Sequence, residues 1–577
     1  MSGAGTPGAG WRHLWAIAGA LLAVVLRAAD YEHELSMAPG AATDIRLTVP
    51  GGRAPSGGFL PVRVRIANRA ADAREWTLDL SMMMQGPGLS GQLHSDHRFV
   101  VPAGVTRDFF IFAPVPEGGD GRTGVMVNAV MDGPDVAAGG HFMFSLGYTW
   151  NSPVGSIAVE PALEQELRTF LGAKYPEVPT GAPTYGGHSP LGQALERISA
   201  MRPESWPADW RIWSSHSVVI LADDTWERLD GARRQALLDW VALGGRLLLA
   251  PVGERLERPP LLHGAGRIVR LAQPVGRTKP ELSESLGFHE TRLAAPGDAL
   301  ASAQFWDLDA KKWQIGLQAG WLTLFVLTFG ILVGPVNLFV FAPADRRHRL
   351  FFTVPALSLA ASAVLVGVII VGDGFGGAGA RRTVVVLLPQ QNQAAVFQRQ
   401  VSRTGLLRQE GFAVPADVVI SLEADPAMPY GKAVALRRDD DRASGDWFAS
   451  RATQQHALRR LMASRERVEL VSPGGAAPVV QSTVGATLRE FTYKDAAGRL
   501  WQADAVPPGT RVTLRPWSGG GTGESVAPLA GAWAEGQFFA RGGRSDTLPI
   551  PTLGSIRWSE EEDRVLYTGR LAGEAAP

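Results

Sequence analysis

The chain of 577 residues contains no cysteine. That absence removes disulfides, thiolate metal sites, iron–sulfur clusters and cysteine nucleophiles together. It leaves the compartment open, because a chain without thiols tolerates oxidising and reducing surroundings alike. Net charge is missing too, since 56 basic and 56 acidic residues cancel. No long-range positive field gathers nucleic acid over the whole molecule, and no nucleic-acid partner is expected. A G-x-x-x-x-G-K-[ST] phosphate loop and an H-E-x-x-H zinc helix are also lacking, and the 11 histidines are scattered. Neither a metal nor a cofactor is expected. What the chain has in quantity is 67 glycines and 40 prolines, natural for many short strands joined by turns.

Three apolar runs stand out. Residues 14–26, behind Arg12 and His13, are too short for an ordinary span and suit the core of an export signal. Arg27 interrupts the small residues that follow, so the segment is either cleaved or retained as a short anchor. Residues 317–341 and 351–371 carry no formal charge, and each is long enough to cross the ~30 Å hydrocarbon core. They read as a transmembrane hairpin. Its loop carries Arg346, Arg347 and Arg349, which the positive-inside rule places in the cytoplasm. An exported N-terminal half agrees independently, because both flanks of the hairpin then lie outside. Gly334-Pro335 should kink or loosen the first span, and Asn337, near the cytoplasmic interface, is expected to bond freed carbonyls or water.

Between these runs the patterning changes twice. Pro61-Val62-Arg63-Val64-Arg65-Ile66, Trp76-Thr77-Leu78-Asp79-Leu80 and Arg107-Asp108-Phe109-Phe110-Ile111-Phe112 alternate with period two, as in an antiparallel sandwich of immunoglobulin-like type. Met82-Met83-Met84 reads as strand filling, with faces alternating. Beyond residue 153 a strand precedes Pro161, which opens a helix presenting Leu163, Leu167, Phe170 and Leu171. Ser189-Pro190 is expected to start another, with Leu191, Leu195 and Ile198 spaced for burial. An apolar strand at 217–221, a helix from Asp230 with Ala236, Leu237, Trp240 and Val241 inward, a Gly244-Gly245 stop and a strand at 246–250 make a βαβ unit.

Ala208-Asp209-Trp210-Arg211-Ile212-Trp213, then Val218-Val219-Ile220-Leu221, then Leu237-Leu238-Asp239-Trp240-Val241-Ala242-Leu243-Gly244-Gly245-Arg246-Leu247 carry a resemblance. They resemble the class I glutamine-amidotransferase-like, flavodoxin-like domain of uncharacterised bacterial membrane proteins. In those proteins the domain lies between an exported β-domain and a hairpin with a turn like Gly334-Pro335-Val336-Asn337, so the resemblance covers 30–370. It implies the fold but not the family's chemistry, which needs the missing cysteine. The expected architecture is multidomain α/β plus all-β. Residues 1–29 are a signal peptide or N-terminal anchor, 30–152 an Ig-like β-sandwich, 153–300 the amidotransferase-like domain, 315–372 the hairpin and 381–577 a C-terminal β-rich domain. In the last, 382–388 reads as a strand, 451–467 as helical, and 486–503 as a hairpin around a polar turn.

Asp223 and Asp224 follow the carboxyl end of a strand, where doubly wound sheets bind ligands, and with Trp226 they form the candidate ligand site; the bland reading is a solvated loop. His94-Ser95-Asp96-His97 lacks the further ligands of a metal site. In Gly187-His188-Ser189-Pro190, Leu191 replaces the second glycine of a nucleophile elbow and Pro190 marks Ser189 as a cap. Gly372-Asp373-Gly374-Phe375-Gly376-Gly377 has dinucleotide spacing but lies between a span and a strand. Asp439-Asp440-Asp441 and Glu560-Glu561-Glu562-Asp563 read as solvated charge runs. The expected role is non-catalytic binding or scaffolding in the bacterial inner membrane, mostly periplasmic, with other envelope or membrane proteins as partners. The alternatives are a degenerate amidotransferase-like hydrolase using Ser189, His188 or Asp223, and an accessory subunit of a transporter.

Overall fold

The computed structural model describes residues 30–52, 57–86, 89–115, 124–137, 141–145, 156–174, 198–251, 261–275, 303–308, 319–407, 411–423, 432–472, 477–518, 535–543, 549–559 and 564–573. The export-signal segment, His188, Ser189 and Glu560-Glu561-Glu562-Asp563 lie outside the described residues. Among the described residues the protein is mixed α/β and mostly strand, with several sheets and two long apolar helices.

Alternation builds the first part. Strands β1 (Tyr31–Glu34), β2 (Thr43–Val49), β3 (Gly58–Asn68), β4 (Arg74–Gly86), β5 (Leu89–Val101), β6 (Thr106–Val115), β7 (Gly124–Asp132) and β8 (His141–Ser145) form two sheets. Along β3, Leu60, Val62, Val64 and Ile66 are buried, while Arg63 and Arg65 face outward onto Asp108 of β6. The inner face of β4 adds Trp76, Leu78, Leu80 and Met82 to the same core, whereas Met83 is only partly covered.

The next part is a parallel sheet. Strand β9 (Ile157–Val159) leads into helix α1 (Pro161–Lys174); β10 (Ile198–Ala200), β11 (Val218–Ala222), α2 (Asp223–Arg228), α3 (Gly231–Ala242), β12 (Arg246–Ala250), β13 (Leu261–His263) and β14 (Gly266–Arg270) follow. The order is β10-β9-β11-β12-β14-β13, parallel except for β13. All five residues of β11 are buried, as a strand covered on both faces requires. The Asp230 carboxylate accepts the Arg233 N–H and caps α3, and Gly244 at φ 105° turns the chain out of it. Ile198, expected on a helix face, instead lies in β10 hydrogen-bonded to β9. A short apolar segment reads equally as strand or helix, and here sheet pairing decides.

Helix α4 (Ala319–Ile331) runs into a π-helical stretch, Leu332–Phe341, and α5 (Leu350–Asp373) returns. The chain then enters β15 (Gly377–Leu388), β16 (Gln393–Thr404), β17 (Gly411–Ala413), β18 (Val419–Glu423), β19 (Lys432–Arg438), β20 (Arg442–Gly445) and β21 (Thr453–Ala463). It ends with β22 (Val468–Ser472), β23 (Val479–Ser482), β24 (Leu488–Lys494), β25 (Leu500–Val506), β26 (Arg511–Thr513), β27 (Arg515–Pro516), β28 (Gln537–Gly542), β29 (Ile556–Trp558) and β30 (Arg564–Arg570). The expected hairpin is β24–β25, its turn held by Asp495, which accepts the Ala497 and Arg499 N–H groups. The helical expectation for 451–467 is overturned: Thr453–Ala463 is a strand between β16 and β18. Its apolar residues gain more from a place inside the sheet than its Arg and Ala gain from helix propensity.

Strands β17, β20 and β19 extend the sheet of β5, β4, β7 and β8 and so complete the N-terminal sandwich, while β18, between β17 and β19 in the chain, stays in the C-terminal sheet beside β21. Pairing of β19 with β5 is parallel and covers what is otherwise an open sheet edge. Gly91 is required at this seam, because a Cβ there would meet the Val434 carbonyl oxygen at 2.0 Å. Gly91→Ala is expected to lower stability by about 1–3 kcal/mol and raise amide exchange in β19, whereas unchanged exchange would refute the seam.

The ten-stranded C-terminal sheet sits at the centre. One face, through Val384, Val386, Ala395 and Phe397, packs on Leu237, Trp240 and Leu247 of the parallel-sheet unit. Phe59 from β3 joins this contact, edge-on to Trp210 at 6.1 Å. The other face shares Val396, Leu458 and Ile420 with the sandwich core, and Val385 and Leu387 with the core of the later hairpins.

Candidate functional site

The parallel sheet reverses direction between β9 and β11: from β9 the chain steps to β10 on one side and then crosses to β11 on the other. The carboxyl ends of these two strands flank the crevice in which such sheets take ligands. Here the crevice is occupied from within. Glu160, the residue after β9, accepts the Ala222 N–H at 2.9 Å and the Thr225 hydroxyl at 2.7 Å. Thr225 Oγ accepts in turn from Arg228 Nη2 at 3.0 Å. The carboxylate thus stands where the chain leaves β11 for α2, the place an anionic ligand would take.

The three residues singled out from the sequence do not converge. Asp223 is 5% exposed, with Arg270 Nη1 at 4.0 Å. Asp224 is exposed and pairs with Arg228 one turn along at 3.2 Å. Trp226 is a core residue with the Arg234 guanidinium 5.4 Å from its ring centroid. The expected solvated loop is instead the first turn of α2. Glu160 was missed because its partners lie 62 and 65 residues away, and only the strand order brings them together.

At the opposite edge, His216 Nδ1 and Ser156 Oγ lie 2.9 Å apart, just ahead of β11 and β9. Burial pushes the His216 imidazole down to about 4, so it is neutral at pH 7 and ties two strand starts together. His94 and His97 lie three residues apart in β5 and therefore on opposite faces. His94 pairs with Gln92 and Asp79, while His97 meets Ser95 in the interior. Asp439-Asp440-Asp441 is the tight connection from β19 to β20. Gly372 ends in a helix and Gly377 opens a strand, the reverse of the order a dinucleotide needs.

In the helical pair, Pro335 lies in the π-helical stretch, where the Ala342 N–H donates to the Asn337 carbonyl five residues back at 2.9 Å. Gly334 and Pro335 are exposed; Asn337 is fully buried. The expected bonding of the Asn337 amide to freed carbonyls is not found, since neither Oδ1 nor Nδ2 has a hydrogen-bond partner among the described residues. Arg346, Arg347 and Arg349 are exposed in the connecting turn, Arg346 paired with Asp345 at 3.3 Å.

No protein-family model and no curated protein matches the chain. Among solved structures, a Bacteroides uniformis β-glucuronidase is 9% identical at a TM-score of 0.13, over 40% of this chain and 24% of its own. The β-D-mannosidase from Dictyoglomus thermophilum is 9% identical at 0.14, over 84% and 74%. An exo-chitosanase from Amycolatopsis orientalis is 10% identical at 0.16, over 89% and 77%. The chain spans about a quarter of the length of the β-glucuronidase chains it matches. Superpositions this loose carry no activity to this chain.

Proposed function

We propose that this is a bacterial inner-membrane protein held by a two-helix hairpin, whose outer domains bind or scaffold other envelope proteins without catalysing a reaction. The observation that carries the reading is the exposure of Thr323–Phe341 and Arg347–Val368, 19 and 22 residues long, with 6% and 0% of their most apolar 18-residue stretches buried. A core helix of a soluble protein would be covered by its own chain, and a signal sequence would lie at the start. Trp321, Phe339, Phe351 and Phe352 are 69%, 75%, 83% and 77% exposed, a surface suited to lipid and costly in water. The arginine turn joins the inner ends of the helices and sets the orientation. An immunoglobulin-like sandwich and an amidotransferase-like domain, the latter with its crevice filled by Glu160, supply surfaces rather than a reaction centre.

Because the chain has no cysteine, single introduced thiols report topology without background. In intact cells an impermeant maleimide should label Ala103→Cys, while Ala344→Cys should react only after permeabilisation. Labelling of both from outside, or recovery of the protein in the soluble fraction, would sink the orientation or the anchoring. Mild cross-linking and detergent pull-down, with a control lacking residues 315–372, should recover stoichiometric membrane partners from the intact chain alone. A clean preparation from both would remove the scaffolding role.

A further inference from the structure

One face of β16 is polar and buried where an apolar row would be expected. Gln398, Gln400, Ser402 and Thr404 alternate along the strand and are each 0–1% exposed. Cross-strand pairing fixes their neighbours: Gln400 lies between Arg381 of β15 and His456 of β21, and Ser402 between Gly379 and Gln454. Most of this layer is satisfied within the protein. Gln398 bonds Gln400 Oε1 and both main-chain groups of Ile550, Thr404 donates to the Ala449 and Ala452 carbonyls, and Gln454 bonds Asp446 and Ala449. At adjoining positions, Gln400 Nε2, Ser402 Oγ and His456 Nδ1 are buried without a hydrogen-bond partner among the described residues.

Their chemistry is complementary. His456 Nε2 lies 2.7 Å from the Trp447 carbonyl, which can only accept, so Nε2 carries the proton and Nδ1 presents a lone pair. Gln400 Nε2 can only donate, and Ser402 Oγ does either. Directly opposed residues such as Gln400 and His456 hold their Cβ atoms about 5 Å apart, and Ser402 is the next residue on the same face. A hydroxylic molecule among them would donate to Nδ1, accept from Nε2 and exchange a bond with Oγ, the roughly three bonds usual for an internal water. The layer is flanked by Phe448, whose ring lies 4.5 Å from the imidazole, and by the Ile550 segment, which bonds Gln398.

We propose that an ordered water bound by Gln400, Ser402 and His456 is an integral part of this sheet, at the layer it shares with the N-terminal sandwich. The test is a double-mutant cycle on the full-length protein in detergent, read by thermal melting. A shared water predicts that Ser402→Ala and Gln400→Met each lower the melting temperature by about 2–4 °C, and that the double variant loses clearly less than the sum. Atoms that merely lack partners predict the opposite sign, since deleting an unsatisfied buried hydroxyl removes its desolvation penalty. A rise with either variant, or strictly additive losses, overturns the water site. Should one variant fail to fold, the sign of the other decides.

Discussion

Lowering the pH from 7 to 4 is expected to remove about 3 kcal/mol of stability through His456 alone. The residue is fully buried, and burial is the main reason its imidazole is pushed down to about 4 from 6.5. At roughly 1.4 kcal/mol per unit, the gap corresponds to that figure. The sign follows from which state takes the proton first. Between pH 6.5 and 4 the unfolded chain is protonated at this position while the folded chain is not, so protons favour unfolding. The contribution is complete above pH 6.5, declines through the window and levels off below about 4. His216 acts in the same direction over the same window, with a smaller share because its residue is partly open to solvent. Asp108 works lower: hydrogen bonds from Arg65 and Arg63 hold its carboxyl down to about 2, so its contribution is lost only between pH 3.8 and 2. Denaturant unfolding at half-unit pH steps, on the wild type and on His456→Phe, is the measurement. The variant should be less stable at pH 7 and show a shallower slope between pH 6.5 and 4; identical slopes would show that this imidazole does not couple protons to folding.

These histidines mark a boundary in what can be read without coordinates. Alternation in β3, Pro161 at the start of α1, Asp230 as the cap of α3 and Gly244 as its stop are local features, and each was legible because its cause lies within a turn or two of chain. The ten-stranded sheet was legible only in pieces. Thr453–Ala463 has the composition of a helix and becomes a strand because β16 and β18 flank it. The seam between β5 and β19 joins residues more than 300 positions apart, for example Gly91 and Val434, and no local pattern announces a parallel partner at that range. In the candidate site the aspartates were visible as acids after an apolar strand. Glu160 was not, because at the sequence level it is one carboxylate before a proline. The hairpin lies between these cases: Pro335 and Asn337 were conspicuous, but the π-helical path through them, and the burial of the Asn337 amide, are properties of the packed pair.

Glu160→Ala is expected to lower the stability of the parallel-sheet unit by about 3 kcal/mol. It deletes the acceptor of both the Ala222 N–H and the Thr225 hydroxyl, and Thr225 is 1% exposed. Hydrogen bonds to a charged acceptor contribute about 1.5–3 kcal/mol each, and donors left buried without partners add to the loss. Glu160→Gln is the informative companion. Its amide oxygen can take one of the two donors, but its NH2 must then face the other, so it should recover part of the loss rather than all of it. The same pair bears on function. If the crevice is filled by its own carboxylate because the domain serves as a surface, Glu160→Ala should loosen β9 and β11 in hydrogen exchange while leaving the hairpin in the membrane and the cross-linked partners in place. If partners are lost at a temperature where the variant is still folded, the carboxyl edge of the sheet is itself the docking face. Binding of a small anion by Glu160→Ala but not by the wild type would mean instead that the crevice keeps its ligand-binding geometry and that Glu160 stands in for the ligand.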